Sequence, residues 1–431
     1  MTTDSKSEEN DLAALISDED ISRARSQIGI AVPLRCATHS PVAADATIRN
    51  FTWGYGDDNP LYMDPEYGAN SRWRGLIAAP MYPIATGACE TPPLAGEKKA
   101  LFKGLFRGVG KYYSGVEFEW FRPIGPGQKT YIDWSTFDIK VKESSFSGNR
   151  SVIETYRCLH VDQFGEPVAV RYESYVNADR GGSKKTGKHS KIERQSYNDE
   201  DIARIDEMYA QEQCRGAELR YFEDVNVGDQ LTPVVKGPLT VTDVISQHVG
   251  WGMGEYGIGP LRHAWKLRTQ KLKGFYNTDE YGVPDVMQRM HWNPDWAEKI
   301  GLPAPYDYGQ MRSCWLSQLL TNWMGDDAWL WQMNNRLNSF NFLGDTHIMK
   351  GVITEKEIVD GHCVVIIEAK GTNQRNDDSV TGLAKIILPS REHGPVTLPS
   401  SSEELKKRGA KMMALRGSEE PLPAGHAMAV V

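Results

Sequence analysis

No stretch of the chain approaches the run of about 20 apolar residues that a membrane-spanning helix needs, so a membrane partner is not expected. Positive charge is not in excess either. The formal net charge is -8, whereas a nucleic-acid binder is normally basic. The six cysteines, Cys36, Cys89, Cys158, Cys214, Cys314 and Cys363, are far apart and form no CxxC pair. That spacing fits neither a zinc site nor a disulfide framework. Met1–Asn10 has no basic n-region and no apolar h-region, so a signal peptide is not expected and the cytoplasm is the expected compartment.

What is present describes a globular chain. Apolar residues make up 40% and charged residues 25% of 431 positions, and that length favours two domains over one core. Aromatics are plentiful, with 12 Trp and 18 Tyr. Trp251, Tyr256, Trp265, Trp292 and Trp296 cluster in the second half, as an apolar pocket wall or as core packing.

In chain order, Ser17-Asp18-Glu19-Asp20 reads as a helix cap. Asp45–Trp53 has helical spacing and stops at Gly54–Pro60. An apolar loop with two prolines, Leu76–Pro83, follows. From about Gly108 the pattern alternates as strands do: Tyr113–Trp120, Thr130–Trp134, Ile139–Val141, Ser151–Tyr156 and Pro167–Tyr172. Arg180–Ser196 has linker composition.

The second half repeats this order. Tyr221–Asp229 reads as strand and turn. A helix capped at Thr240 or Thr242 ends near Gly252, and an insertion fills 258–288. Arg289–Ala297 and a glycine turn lead into an apolar helix, Gln310–Met324. Strands return at Leu337–Phe342, His347–Ile353, Cys363–Ala369 and Thr381–Pro389. The repeat implies an α+β architecture in which each half packs a helix on an antiparallel sheet, with the two sheets joined edge to edge.

Three patches carry a resemblance. They are Gly56-Asp57-Asp58-Asn59-Pro60-Leu61-Tyr62; His291-x-Asn293-x-x-x-Ala297-x-x-x-Gly301-Leu302 with Tyr308-Gly309; and the turns Arg122-Pro123-x-x-Pro126-Gly127 and Leu343-Gly344-Asp345-Thr346. Together they resemble the MaoC-like dehydratase, or (R)-specific enoyl-CoA hydratase, superfamily. The form is the double hotdog, with an N-terminal unit like the fatty-acid-synthase-type dehydratases. The resemblance implies a tandem hotdog of two antiparallel sheets, each wrapping a central helix. It divides the chain into a disordered 1–18, a first unit 19–178, a linker 179–216, a second unit 217–390 and a tail 391–431.

The family hydrates or dehydrates enoyl-CoA thioesters with an aspartate–histidine dyad and a backbone N–H at the central helix N-terminus. Neither half here has the full dyad. Asp57 stands at the aspartate position of the first, but Tyr62 replaces the histidine, and a phenol with a pKa near ~10 is a poor proton shuttle. His291 stands at the histidine position of the second, but Val286 replaces the aspartate. Glu255 substitutes if the insertion separates base from acid, with Asp285 as the competing carboxylate. The resemblance makes His291, Glu255 and Asp57 the catalytic candidates. Asn293, Gly309, Tyr308, Asn59 and Tyr62 become the substrate-binding ones, with Gly309 supplying the N–H. His248 and His263 lie off the motif and are set aside, and Cys314 reads as packing.

No metal or cofactor is called for beyond the CoA thioester substrate. Arg262, Lys266, Arg268, Lys271 and Lys273 of the insertion either meet CoA phosphates or form a solvated face. A homo-oligomer, or a hetero-oligomer with a related hotdog chain, is expected. The alternatives to a hydratase are a hotdog thioesterase and a non-catalytic acyl-CoA-binding subunit completed by a partner chain.

Overall fold

The computed structural model describes residues 15–34, 38, 40–143, 150–178, 195–252 and 257–416. The expectations for 1–14, for 179–194 of the linker, for the end of the tail, and for Tyr256 and Glu255 lie outside the described residues.

Among the described residues the main sheet has nine strands in one continuous order, β2-β3-β4-β1-β8-β11-β10-β9-β5. The first half supplies β1 (Gly110–Trp120), β2 (Thr130–Glu143), β3 (Arg150–Asp162) and β4 (Pro167–Ala178). The second supplies β5 (Val234–Lys236), β8 (Trp329–Leu337), β9 (His347–Val359), β10 (His362–Asn373) and β11 (Asp378–Ile387). Within the insertion, β6 (Tyr276–Thr278) and β7 (Pro284–Val286) form a separate hairpin. Read outward from the junction, the first half runs β1-β4-β3-β2 and the second β8-β11-β10-β9 with β5 added at its edge, so the repeat in the sequence is a repeat in topology.

The halves meet where β1 pairs antiparallel with β8, with Gly115 opposite Arg336 and Glu119 opposite Gln332. Gly115 adopts φ +145°, and a Cβ there would stand 2.1 Å from the Asn335 carbonyl oxygen. The junction therefore demands glycine. The two sheets expected to join edge to edge form one continuous nine-stranded sheet among the described residues.

The expectation of two central helices is corrected as well. The second half has Gly309–Met324, a 16-residue helix buried along almost its whole length, as a helix at the centre of a core must be. In the first half the corresponding stretch, Leu76–Pro83, remains loop, with a single 3-10 turn at Tyr82–Ile84. Its prolines remove backbone donors and restrict the residues before them. The first half leans on the other's helix instead. Trp315 Nε1 donates to the Tyr55 carbonyl at 3.1 Å. At the helix's far end Tyr67 OH donates to Asp326 Oδ2 at 2.6 Å, and Trp73 Nε1 to the Asp326 carbonyl at 2.9 Å.

Two shorter helices lead into the loops of interest, Asp45–Gly54 and Val241–Trp251. The second is capped by Thr240 with Asp243 in a reciprocal box. They cross in backbone contact. A Cβ on Gly54 would meet the Ser246 carbonyl oxygen at 2.9 Å, and one on Gly250 the Asn50 carbonyl oxygen at 2.4 Å. The contact is reciprocal, so position 54 corresponds to 250 and position 50 to 246.

Three further expectations shift. Thr130–Trp134 and Ile139–Val141 belong to one strand, β2, irregular between Thr136 and Asp138. The strand expected at Leu337–Phe342 lies earlier, as β8; its polar residues Gln332, Asn334 and Asn335 masked it in the sequence. Tyr221–Asp229 is a 3-10 turn, Phe222–Asp224, rather than a strand.

Candidate functional site

His291 ends the 3-10 turn Met287–His291. Arg289, 1% exposed, holds that turn from inside. Its Nη1 donates to the carbonyls of Asp285 and Val286, both at 3.1 Å, and its guanidinium lies 4.1 Å from the Trp296 ring. The His291 ring is 8% exposed and its Nδ1 lies 2.8 Å from the Tyr306 carbonyl oxygen. A carbonyl only accepts, so the proton sits on Nδ1 and Nε2 keeps its lone pair. Burial lowers the imidazole pKa to about 4, although carbonyls of Tyr306 and Asp307 oppose the shift. The ring is therefore neutral at pH 7.

The chain segment behind His291 is fixed by a buried ion pair. Asp307 is fully buried, and its Oδ2 lies 2.9 Å from Arg312 Nε and accepts from Asn341 Nδ2 at 2.9 Å. Arg312 also donates to the Ser339 and Ser379 carbonyls at 2.7 and 3.0 Å. Burial raises the Asp307 pKa to about 6, against the lowering effect of Arg312. This pair fixes Tyr306 and Tyr308 on either side of it. The sequence reading missed it, because Asp307 and Arg312 stand outside the family motif; the one signal was an arginine inside an apolar helix.

Tyr308 caps the central helix and Gly309 begins it. The rings of His291 and Tyr308 lie 3.8 Å apart, centre to centre, and that of Tyr306 lies 4.6 Å from His291. A Cβ on Gly309 would strike Leu337 Cδ1 at 2.5 Å and Tyr113 Cδ1 at 2.6 Å, so the helix start is wedged against the β1–β8 junction. The first N–H groups of a helix find no partner within it and form its positive end. A neutral histidine thus stands beside a buried, positive helix terminus.

The other expected residues fall elsewhere. Asn293 Oδ1 accepts from Trp296 N at 2.7 Å and caps the next short helix. Asp285 Oδ1 accepts from Val286 N at 2.7 Å, within the insertion's hairpin. Glu255 lies outside the described residues. His248, set aside on the sequence, packs its ring 4.4 Å from that of Tyr308, on the same aromatic cluster as His291.

Asp57 is placed in a separate cluster and is not brought to His291. Its Oδ1 accepts from Asn59 N at 3.0 Å and its Oδ2 from Tyr55 OH at 2.9 Å, closing the loop as an Asx-turn does. Burial raises its pKa, partly offset by the Asn59 N–H and by Lys236. Lys236, itself buried, donates to the Gly56 carbonyl at 2.8 Å. Asn59 Oδ1 caps Leu61 N at 3.0 Å. Tyr62 is 2% exposed and lines a narrow apolar cleft with Trp73, Ile77, Trp120 and Met324; burial raises its phenol well above the ordinary value. Cys314 is fully buried and burial pushes its thiol up, which suppresses the thiolate a nucleophile needs.

Among the described residues no helix is long and apolar enough to cross a membrane. No curated protein matches the sequence. Residues 34–171 match the family model described as FAS1-like, dehydratase domain region. Among solved structures, one titled MaoC-like dehydratase is 16% identical, over 85% of this chain and 99% of that one, with a TM-score of 0.55. A putative MaoC domain protein dehydratase from Chloroflexus aurantiacus J-10-fl is 10% identical, over 83% of this chain and 95% of that one, with a TM-score of 0.49. A conserved protein from Mycobacterium tuberculosis, described as having a double hotdog fold, is 11% identical, over 84% and 96% of the two chains, with a TM-score of 0.48. The first half thus matches the model of a FAS1-like dehydratase domain region, and the chain shares its fold with the first of these structures, titled MaoC-like dehydratase.

Proposed function

We propose that the chain is a hydro-lyase that adds water to, or removes it from, the 2,3 double bond of an enoyl-CoA thioester, and that its second half does the work. One observation carries the reading: the neutral, buried imidazole of His291, its tautomer set by the Tyr306 carbonyl, beside the N-terminus of the buried central helix. In the hydration direction Nε2 takes a proton from water as the water oxygen bonds to C3. The electron pair of the double bond moves toward the thioester oxygen, giving an enolate. The N–H of Gly309 and the helix dipole meet that developing charge. The imidazolium returns its proton to C2, so water is added and no group is left over.

Burial of the imidazole weakens it as a base but keeps it unprotonated. The barrier then falls chiefly through the helix terminus, which acts where water is excluded. Glu255 remains a proposed second carboxylate from across the insertion. The basic residues of the insertion are proposed to face the CoA phosphates.

The test is hydration of crotonyl-CoA, followed by loss of the enoyl absorbance. His291→Ala is expected to lower kcat by roughly 100-fold or more. A variant as active as the parent sinks the reading. Release of free CoA with the double bond intact would turn it into a thioesterase.

A further inference from the structure

The entry helices of the two halves superpose position for position through the reciprocal contact of Gly54 and Gly250, yet what they bury differs. In the first half the pair two and three residues before the glycine is Phe51-Thr52. Phe51 is apolar and 1% exposed, and Thr52 Oγ1 donates to the Ile48 carbonyl of its own helix at 3.0 Å. In the second half the corresponding pair is Gln247-His248, 1% and 3% exposed. Among the described residues neither amide atom of Gln247 and neither ring nitrogen of His248 has a hydrogen-bond partner. Buried polar groups are nearly always paired, and leaving one unpaired is costly. The first half shows that the fold fills this position without such a cost.

His248 also faces a definite place. Its ring packs edge to face on Tyr308 at 4.4 Å and on Trp292 at 5.5 Å. Tyr308 is the residue whose other neighbour is His291, at 3.8 Å. Burial, and then His291, lower its pKa to about 3, so two neutral imidazoles share one aromatic cluster.

We infer that His248 is a second substrate-contacting residue of the C-terminal site, whose unpartnered ring nitrogens hydrogen-bond a neutral oxygen held beside Tyr308 and His291. The chemical class is water, a hydroxyl or a thioester carbonyl, since two uncharged rings have nothing to neutralise a carboxylate or a phosphate. A neutral imidazole carries one donor and one acceptor, so it can hold a water molecule on one nitrogen while its tautomer follows the oxygen's own hydrogen bonds. The inference rests on the hydro-lyase reading for the identity of that oxygen, and on the helix comparison for its existence.

The test compares His248→Phe and His248→Gln in the full chain by urea unfolding and by crotonyl-CoA hydration. The Phe variant keeps the ring's bulk and loses both polar atoms. It is expected to unfold at the parent's midpoint or above, while hydration falls by roughly 100-fold. The Gln variant restores a donor and an acceptor and is expected to recover about 10-fold of that loss. A Phe variant that unfolds earlier makes His248 a structural residue and overturns the inference. Parental activity in the Phe variant overturns it too, as does a Gln variant no better than Phe. If the parent itself does not hydrate crotonyl-CoA, the hydro-lyase reading falls, and calorimetric binding of butyryl-CoA decides His248. Binding weakened by Phe and restored by Gln keeps the inference; equal binding, or none by the parent, removes it.

Discussion

The loops after the two entry helices occupy corresponding places in one repeated topology, and they spend their polar groups differently. Around Asp57 both carboxylate oxygens have partners from the loop itself, Tyr55 OH and Asn59 N, and Asn59 caps the following turn. Around His291 the backbone is equally well fastened, by Arg289 and by the Asp307–Arg312 pair, but imidazoles are left facing one another's surroundings. Polar groups that satisfy each other build a structure. Polar groups held rigidly and left unspent are what a reacting molecule can use. On the proposed function, the first loop is architecture and the second carries the chemistry.

The largest effect is expected at His291. His291→Ala is expected to abolish most crotonyl-CoA hydration while the urea midpoint moves little; an activity loss matched by unfolding would break the comparison. Next comes Asp57→Ala, which strands Tyr55 OH and Asn59 N in the interior. It is expected to cost about 1–3 kcal/mol of stability and to leave kcat within about 3-fold of the parent, read by denaturant titration and turnover on the same sample. A collapse of kcat with stability intact would move the working site to the first half. Gly250→Ala forces the entry helices apart against the Asn50 carbonyl and is expected to cost a similar 1–3 kcal/mol, about the price of overpacking a core.

Acid should sharpen the contrast further. His291, with a folded pKa of about 4 against an ordinary 6.5, and His248, at about 3, are both depressed by burial. The unfolded chain therefore takes up protons first. Their contribution to stability is complete above pH 6.5, is lost progressively as pH falls from there, and levels off once the folded rings titrate. Turnover, which needs His291 neutral, is expected to stay flat from pH 7 to about 5. Urea midpoints and kcat over that range check both. The smallest effect is expected at Thr52→Val, which removes only a bond to its own helix and is expected to cost under about 1 kcal/mol.

Much of this fold was legible in the chain. The helix at Asp45, a cap at Thr240 or Thr242 (the structure uses Thr240) and the strands after His347 follow from spacing and capping chemistry, and the repeat predicted that the sheets join. What misled was the assumption that a repeat is symmetric. The prolines of Leu76–Pro83 argued against a helix there, but only packing shows that the other half's helix serves instead. Of the site, His291, Tyr308 and Gly309 were visible because motif and geometry coincide. Asn293 and Asn59 were read as binding groups because a helix-capping amide and a ligand-binding amide look alike in sequence. Asp307 escaped notice and His248 was set aside because what distinguishes them, the partners Arg312 and Asn341 in one case and the lack of any among the described residues in the other, appears only on folding.

The single central helix has a consequence for the chain as a physical object. Residues 1–178 expressed alone would carry a sheet with no rod to wrap, an open β1 edge, and the Tyr55 carbonyl, Tyr67 hydroxyl and Trp73 indole without their indole, carboxylate and carbonyl partners. Residues 195–431 would keep the rod and lose a neighbour. Split between the halves, the polypeptide should behave as two complementary fragments, the first acquiring its structure only when the second is supplied. The order of synthesis would then matter: the half made first ends at Ala178 and waits, unfinished, for a helix that begins only at Gly309.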